Sequence, residues 1–585
     1  MCGIFGVIGR DPNFCMQKML NRLEHRGPDD QNIYSNGDIS FGHTRLSIIG
    51  HNDGAQPLVD ESLNALIFNG EIYNFKELGR KYFQREFTSD TQLLFELLKK
   101  LGSKCLKELR GMFSFVFYNT KDRSTLLVRD PFGMKPLYYS QQNSCIYFCS
   151  EFLPLQQSLR TTLCESSFYD YLQLGTSIAH ETLDQKVQQL LPGQFLLVVK
   201  NQIQKDFYYS LDELLIEGNS HDFEKVFEST CLRHTISDVD LGLMLSGGMD
   251  STSIAISLKN AGVENLDCYS LGFNDPEFDE SDQAKRVAEF LGYRHTRIEF
   301  PQTKIIDFLQ EALDALDGPF GDASFIPTYF LCKEISKEKK VVLSGDGGDE
   351  VFFGYPTFMA NKVQSFLPQW VQKIVAKVFH DLKVDTNTRV TFKEKLQRFA
   401  WGMTKGSPDR FLAYMSSISP EVFQERFTIS SQKLSKQESN CSAIFVYYFK
   451  QYLGSQLLVK TDRASMKNSL EVRCPFLDID FIQEVFELPN LGFPVFQNAK
   501  APIRKYLSKK LPKRLHSFEK KGFSAPLYQI LPSLKAIVER KHGLNLNCTK
   551  DKLFRYRFFS YNLLVYMYFY PSDSAQKVFK RFIGL

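Results

Sequence analysis

Cys2 stands directly behind the initiator Met and before the small Gly3. Removal of Met1 leaves one residue that carries both a thiol and the chain's free α-amine. That is a nucleophile with its own base, since an α-amine titrates near pH ~8 and a free thiol near ~8.5. Three further positions supply what such a nucleophile needs. Arg45, in the run His43-Thr44-Arg45-Leu46-Ser47-Ile48, offers a forked donor for a substrate carboxylate. Asn69-Gly70-Glu71 follows an apolar run, so an amide side chain and an unobstructed backbone N–H are available to an oxyanion. Asp90, in Thr88-Ser89-Asp90, is suited to hold an ammonium. Singly, each has a plainer reading: Cys2 as a small chain-end residue, Asn-Gly as a hairpin turn, Asp90 at a helix start.

A second set lies far downstream. Ser246-Gly247-Gly248-Met249-Asp250-Ser251 falls between an apolar run and a helical one. Two glycines let the backbone approach a polyphosphate, the helix start adds N–H donors, and Asp250 suits Mg²⁺. No Gly-Lys-Ser/Thr follows, so this is not a Walker loop. Ser344-Gly345-Asp346-Gly347-Gly348-Asp349-Glu350 again follows an apolar run and adds acidic groups. Either loop alone reads as a glycine-rich turn; two of them at strand ends point to a metal–pyrophosphate site. Lys520-Lys521-Gly522-Phe523-Ser524-Ala525-Pro526-Leu527 supplies cations that would neutralise charge developing in adenylyl transfer, although a lysine pair is also ordinary solvated surface.

The elements that must position these residues fall into two textures. Up to about Lys205 the chain shows short apolar or alternating runs, among them Ile4 to Ile8, Ala65 to Phe68, Phe113 to Tyr118, Thr125 to Val128 and Gln194 to Val199. These predict a largely antiparallel α+β domain with a few helices, one over Asp90 to Leu101. From Asp206 strand-like runs alternate with helical ones: Leu241 to Leu245 before Ser251 to Ala261, Asp267 to Leu271 before Ser281 to Leu291, then Lys340 to Leu343. This predicts an α/β domain on a parallel sheet, with ligands beyond the strands' carboxyl ends. After about Pro356 the pattern is mostly helical. The expected domains are therefore 1–205 and 206–585.

A chain of 585 residues exceeds one hydrophobic core. Its net charge of +4 gives no reason to invoke nucleic acid or an anionic membrane. The 52 phenylalanines are read as core filling. The start of the chain lacks a secretory pattern, and the apolar stretch Tyr561 to Tyr570 is too short to span a bilayer, so it predicts a buried helix. The 12 cysteines include no CxxC pair. Cys145 and Cys149, four apart in a predicted strand, read as buried thiols of a protein in a reducing cytoplasm.

The motifs taken together carry a resemblance. Cys2-Gly3-Ile4, His25-Arg26-Gly27-Pro28-Asp29, Arg45-Leu46-Ser47-Ile48, Asn69-Gly70-Glu71-Ile72-Tyr73-Asn74 and Arg129-Asp130 resemble the N-terminal-nucleophile glutaminase domain of class II amidotransferases. The two glycine loops, with Lys460-Thr461-Asp462-Arg463-Ala464-Ser465-Met466 and Ser469-Leu470-Glu471-Val472-Arg473-Cys474-Pro475-Phe476-Leu477-Asp478, resemble the synthetase domain of the asparagine synthetase family. The likeness spans essentially the whole chain.

The resemblance implies that Cys2 attacks glutamine, that Asn69 and Gly70 stabilise the tetrahedral intermediate, and that Arg45, Glu71 and Asp90 hold the glutamine's α-carboxylate and α-amine. It further implies that ATP binds the loop of Ser246, Gly247, Gly248 and Ser251, that Met244, Leu271, Ser344 and Gly345 line the adenylate, and that Asp250 and Asp349 hold Mg²⁺. Lys520 falls at the family's catalytic lysine. Asp346 stands where asparagine synthetases commonly carry Glu, in a place associated with ammonia delivery and the acyl intermediate. Gly318 to Pro327 also differs from the aspartate-binding stretch of the best-understood members. The expected substrates are glutamine, ATP and aspartate, with another carboxylate such as a uronic acid as the alternative acceptor. No nucleic-acid or membrane partner is expected; family members are often dimers, so a homodimer is.

Overall fold

The computed structural model describes residues 2–50, 53–210, 222–276, 279–301, 305–380, 382, 392–406, 409–435, 443–487, 500–516, 518 and 527–584. Twelve strands form the N-terminal part: β1 (Gly3–Ile8), β2 (Asp30–Ser35), β3 (Ile39–Arg45), β4 (Leu58–Val59), β5 (Ala65–Ile72), β6 (Gly111–Asn119), β7 (Ser124–Arg129), β8 (Tyr138–Gln142), β9 (Cys145–Cys149), β10 (Gln188–Gln189), β11 (Gln194–Val199) and β12 (Gln202–Phe207). They pair antiparallel in two six-stranded sheets, ordered β10-β8-β9-β1-β3-β2 and β12-β11-β7-β6-β5-β4.

Side-chain alternation explains the layers. On β1, Ile4 and Ile8 share one core with Ala65 and Ile67 of β5 and Val116 of β6, so they fill the space between the sheets. The alternate residues Phe5 and Val7 turn outward onto Met19, Leu20 and Leu23 of the helix Met16–Leu23. On β6, Phe113, Phe115 and Phe117 turn the other way, onto Leu93, Leu94 and Leu97 of the helix Asp90–Leu101. The result is helix, sheet, sheet, helix. Cys145 and Cys149 are buried free thiols on β9.

The expected division at 205 falls inside β12, which continues to Phe207, and Tyr208 donates its hydroxyl to the Arg129 carbonyl at 2.9 Å. The pattern broke there because β12 is exposed along most of its length and lacks an apolar signature.

Beyond this point lies a five-stranded parallel sheet, ordered β15-β14-β13-β16-β17, made of β13 (Leu241–Met244), β14 (Asp267–Gly272), β15 (Arg294–Glu299), β16 (Val341–Leu343) and β17 (Glu471–Arg473). The chain runs outward from β13 to β15 and then returns on the other side of β13. The strand order therefore reverses between β13 and β16, where a crevice opens beyond the strand ends. One correction concerns β17, a three-residue strand from the stretch expected to be helical. The remainder is helical as expected, with Arg557–Phe569 deeply buried. No described helix is long and apolar enough to cross a membrane.

Candidate active sites

Cys2 sits at the entrance of β1, buried, and its backbone N–H donates to Asn69 Oδ1 at 3.1 Å. This nitrogen becomes the α-amine once Met1 is removed, so Asn69 would hold that amine beside the thiol. The opposite end of the same amide, Nδ2, is buried with no hydrogen-bond partner among the described residues. A buried unused donor is costly, and it fits an oxyanion. Gly70, at φ +149°, could not bear a side chain, because a Cβ would fall 2.0 Å from the Met112 carbonyl on β6. Burial pushes the Cys2 thiol above its ordinary value, while the Leu46 backbone and Arg45 pull it down.

Arg45, the last residue of β3, donates through Nη2 to the Gly50 carbonyl at 2.6 Å. Asp90 opens the helix Asp90–Leu101 and accepts from the Ile72 N–H at 3.0 Å and the Thr91 N–H at 2.7 Å. Burial nonetheless raises its carboxyl to about 6. Glu71, also buried, is raised by burial and by the neighbouring Glu471 and Asp90 carboxylates. Asp90 is thus the first residue of its helix, with Ser89 in the cap position, and it shares a buried acidic patch with Glu71. Such a patch is stabilised by an incoming ammonium.

The second site is a cavity of roughly 260 Å³ at the strand-order reversal. Ser246, Gly248, Asp250 and Ser251 line it from the loop after β13, and Ser344, Gly345, Asp346 and Asp349 from the loop after β16. Met244 and Leu271 complete the wall from β13 and β14. Gly247 adopts φ +78°, the turn that sends the chain from β13 into the helix Met249–Asn260. Ser246 Oγ accepts from the Gly248 N–H at 3.2 Å. The loops touch: a Cβ on Gly348 would lie 2.7 Å from Asp250 Cγ.

Lys500, which the sequence did not single out, supplies the missing cation. Its Nζ lies 2.5 Å from Asp250 Oδ2 and 2.7 Å from Asp349 Oδ1. Burial alone would depress this ammonium, but the two carboxylates outweigh burial and hold its pKa above the ordinary value. Two carboxylates that converge on one cation also fit Mg²⁺, which completes its shell with water and phosphate. Among the described residues no cluster of three or more acidic, His or Cys ligands exists. Lys520 lies outside the described residues.

The two sites are joined by buried charge. Arg26, with no exposed surface, donates through Nε to the Cys2 carbonyl at 3.1 Å and grips both Asp462 oxygens at 3.0 and 3.1 Å. Asp462 belongs to the helix Leu458–Met466, whose Thr461 donates to Asp346 Oδ2 at 2.9 Å and whose Lys460 Nζ lies 3.2 Å from Ser324 Oγ. Between them is a small cavity of about 10 Å³, lined by Met134, Leu458, Val472 and Cys474 but also by Lys135 and Asp462. Its apolar lining is therefore mixed with charge. Arg26 and Asp462 stood in the quoted motifs without a role, because their pairing is visible only in three dimensions.

Residues 222–559 match the family described as asparagine synthase, and residues 1–209 match the glutamine amidotransferase domain. The chain belongs to the asparagine synthase family. An amidotransferase domain joined to a synthase domain makes this family member a glutamine-hydrolysing ligase. It is similar to asparagine synthetase [glutamine-hydrolyzing] 1 of Bacillus subtilis, at 29% identity over 90% of this chain and 87% of that protein. A putative asparagine synthetase 2 of Methanocaldococcus jannaschii is 29% identical over 80% of this chain and 98% of its own length. Asparagine synthetase B of Escherichia coli is 27% identical over 72% of this chain and 76% of its own.

Proposed function

We propose that this asparagine synthase family member makes asparagine from aspartate, ATP and glutamine, releasing AMP and pyrophosphate. Two convergences support the roles of its residues: Cys2 with the unused Asn69 donor, and Asp250 with Asp349 on a single cation. The first carries the nitrogen donor half. The α-amine takes the Cys2 proton, Sγ attacks the glutamine amide carbon, and Asn69 Nδ2 with the Gly70 N–H holds the oxyanion. Ammonia leaves, and water clears the thioester as glutamate. Arg45 holds the glutamine α-carboxylate, with Glu71 and Asp90 on its α-ammonium.

In the cavity, Asp250 and Asp349 would hold Mg²⁺, which would neutralise phosphate charge. The Ser246–Ser251 loop and the helix start behind it cradle the pyrophosphate. Met244, Leu271, Ser344 and Gly345 surround the adenylate. Lys460, next to Ser324 and Asp322 of the divergent Gly318–Pro327 stretch, is assigned to the acceptor carboxylate. That carboxylate displaces pyrophosphate from ATP, ammonia attacks the acyl carbon, and AMP leaves. Lys520 is assigned the charge on phosphorus, and Asp346, set by Thr461, the arriving ammonia.

The short Asp346 and the divergent stretch beside Lys460 favour a second reading, the same chemistry on another carboxylate such as a uronic acid. Acceptor-dependent pyrophosphate release with ATP, Mg²⁺ and glutamine tests both. Release with aspartate and asparagine as product is the expected outcome. Silence with aspartate and turnover with a sugar acid moves the reaction to the second acceptor and leaves the residue roles in place.

A further inference from the structure

The helix Gln369–Phe379 has no buried position among its described residues, yet it is well anchored. Val371, Val375 and Phe379 are half-buried, and the helix packs against the helix Phe392–Gly402. Gln372 Nε2 donates to the Leu367 carbonyl at 2.8 Å, and Gln397 Nε2 to the His380 carbonyl at 2.9 Å. Its outer side is unusual. Trp370, Ile374 and Val378 recur every fourth residue and, with Phe366 before the helix and Phe392 after it, are between 54% and 78% exposed. Isolated exposed apolar residues need no explanation, but three on one helix arc, with two more nearby in the sequence, do.

The polar residues beside the stripe indicate what covers it. Lys373 and Lys377 flank Trp370, Ile374 and Val378 on the same exposed arc, and Lys393 and Lys395 are exposed beside Phe392. Over residues 356–402 the sequence holds eight Lys and Arg against three Asp and Glu, a larger excess than the whole chain's +4. The one acid among the described residues of this stretch, Glu394, is turned away to Arg557 at 3.2 Å. A second copy laid face to face would set these lysines against their own counterparts.

We propose that this helix is an interfacial anchor, laying Phe366, Trp370, Ile374, Val378 and Phe392 into an anionic lipid surface while the four lysines meet its headgroups. Aromatic and aliphatic residues on one arc with lysines at its margin are the physical requirement for that position. Whole-chain charge and the absence of a spanning helix led to the expectation of no membrane partner; a single surface helix escapes both criteria. The attachment is independent of which carboxylate the cavity accepts.

The chain's two tryptophans make the test direct. Trp401 is half-buried with its Nε1 donating to the His380 carbonyl, so Trp401→Phe leaves Trp370 as the sole reporter. Full-length protein is mixed with vesicles of phosphatidylcholine alone or with one-quarter phosphatidylglycerol. The expected result is a blue shift of Trp370 emission and co-sedimentation with the anionic vesicles only, reversed by high salt. Lys373→Glu with Lys377→Glu should weaken binding by at least about 25-fold, at roughly fivefold per lysine. Wild-type co-sedimentation provides the same answer should Trp401→Phe not fold. Absence of sedimentation with either vesicle overturns the proposal. So does a blue shift that grows with protein concentration and needs no lipid, which assigns the stripe to a second copy, or one that needs an acidic protein instead.

Discussion

Arg26 and Asp462 form a two-pronged ion pair with both side chains out of water, although 436 positions separate them. Arg26 also holds the Cys2 carbonyl, so one guanidinium fastens Cys2 to a helix of the other domain. The attraction of Asp462 and Glu151 holds the Arg26 pKa above its ordinary value despite full burial. A charge so enclosed cannot lose its partner without a large penalty.

Asp462→Asn should therefore lower stability by about 3 kcal/mol, the lower end for a broken buried pair, since Arg26 is left with Glu151 at 3.2 Å as its carboxylate partner. Because Arg26 touches Cys2, glutamine-dependent amide formation should fall further than ammonia-dependent formation. Thermal unfolding and the ratio of the two activities measure this. An equal fall in both activities would show that the pair supports the fold alone.

Cys2→Ala should abolish glutamine use and spare synthesis from ammonia. Asn69→Ala should cut glutamine hydrolysis by roughly 10²–10³-fold, the ordinary worth of one oxyanion donor. Glutamate release and amide formation, assayed separately, distinguish the two sites. Joint loss of both activities in Cys2→Ala contradicts a diffusible ammonia intermediate.

Much of this arrangement was legible in the sequence, for local reasons. Glycine loops between apolar runs and helices announce turns at strand ends, and one cavity does collect Ser246, Asp250, Ser344 and Asp349. Alternation on β6 was readable because its two faces enter different cores. Lys500 was not readable: it precedes a helix in a stretch with no glycine motif, and only the fold brings it to Asp250 and Asp349. The strand β17 escaped for a related reason. At three residues it has no period of its own, and pairing with β16 makes it a strand.

The Asp90 carboxyl, raised by burial to about 6, predicts a pH dependence for glutamine binding. A substrate ammonium needs the ionised form, so KM for glutamine should climb roughly tenfold per unit below about pH 6 and level off above it. The sign for stability is the reverse of an ordinary ion-paired carboxylate. With its folded value above the unfolded one of ~3.9, the group's contribution is greatest at low pH and is lost as pH rises through about 6. Saturating glutamine should remove that loss. Glutamine KM from pH 5 to 8, in wild type and Asp90→Asn, tests the assignment; an unchanged profile in the variant removes Asp90 from it.

Lys500 lies between Asp250 and Asp349, and its removal has a consequence that can be measured without turnover. Lys500→Ala leaves two carboxylates facing each other with no cation, a repulsion that a divalent ion relieves. Wild-type thermal stability in the absence of ATP should respond little to millimolar Mg²⁺. The variant should be less stable without Mg²⁺ and recover as it is added, because the ion enters the position the ammonium held. Asp250→Asn in the same background should abolish the recovery, since one ligand is then neutral. A variant whose melting temperature ignores Mg²⁺ would show that the two carboxylates are not a divalent site, and the metal would have to be sought elsewhere in the cavity.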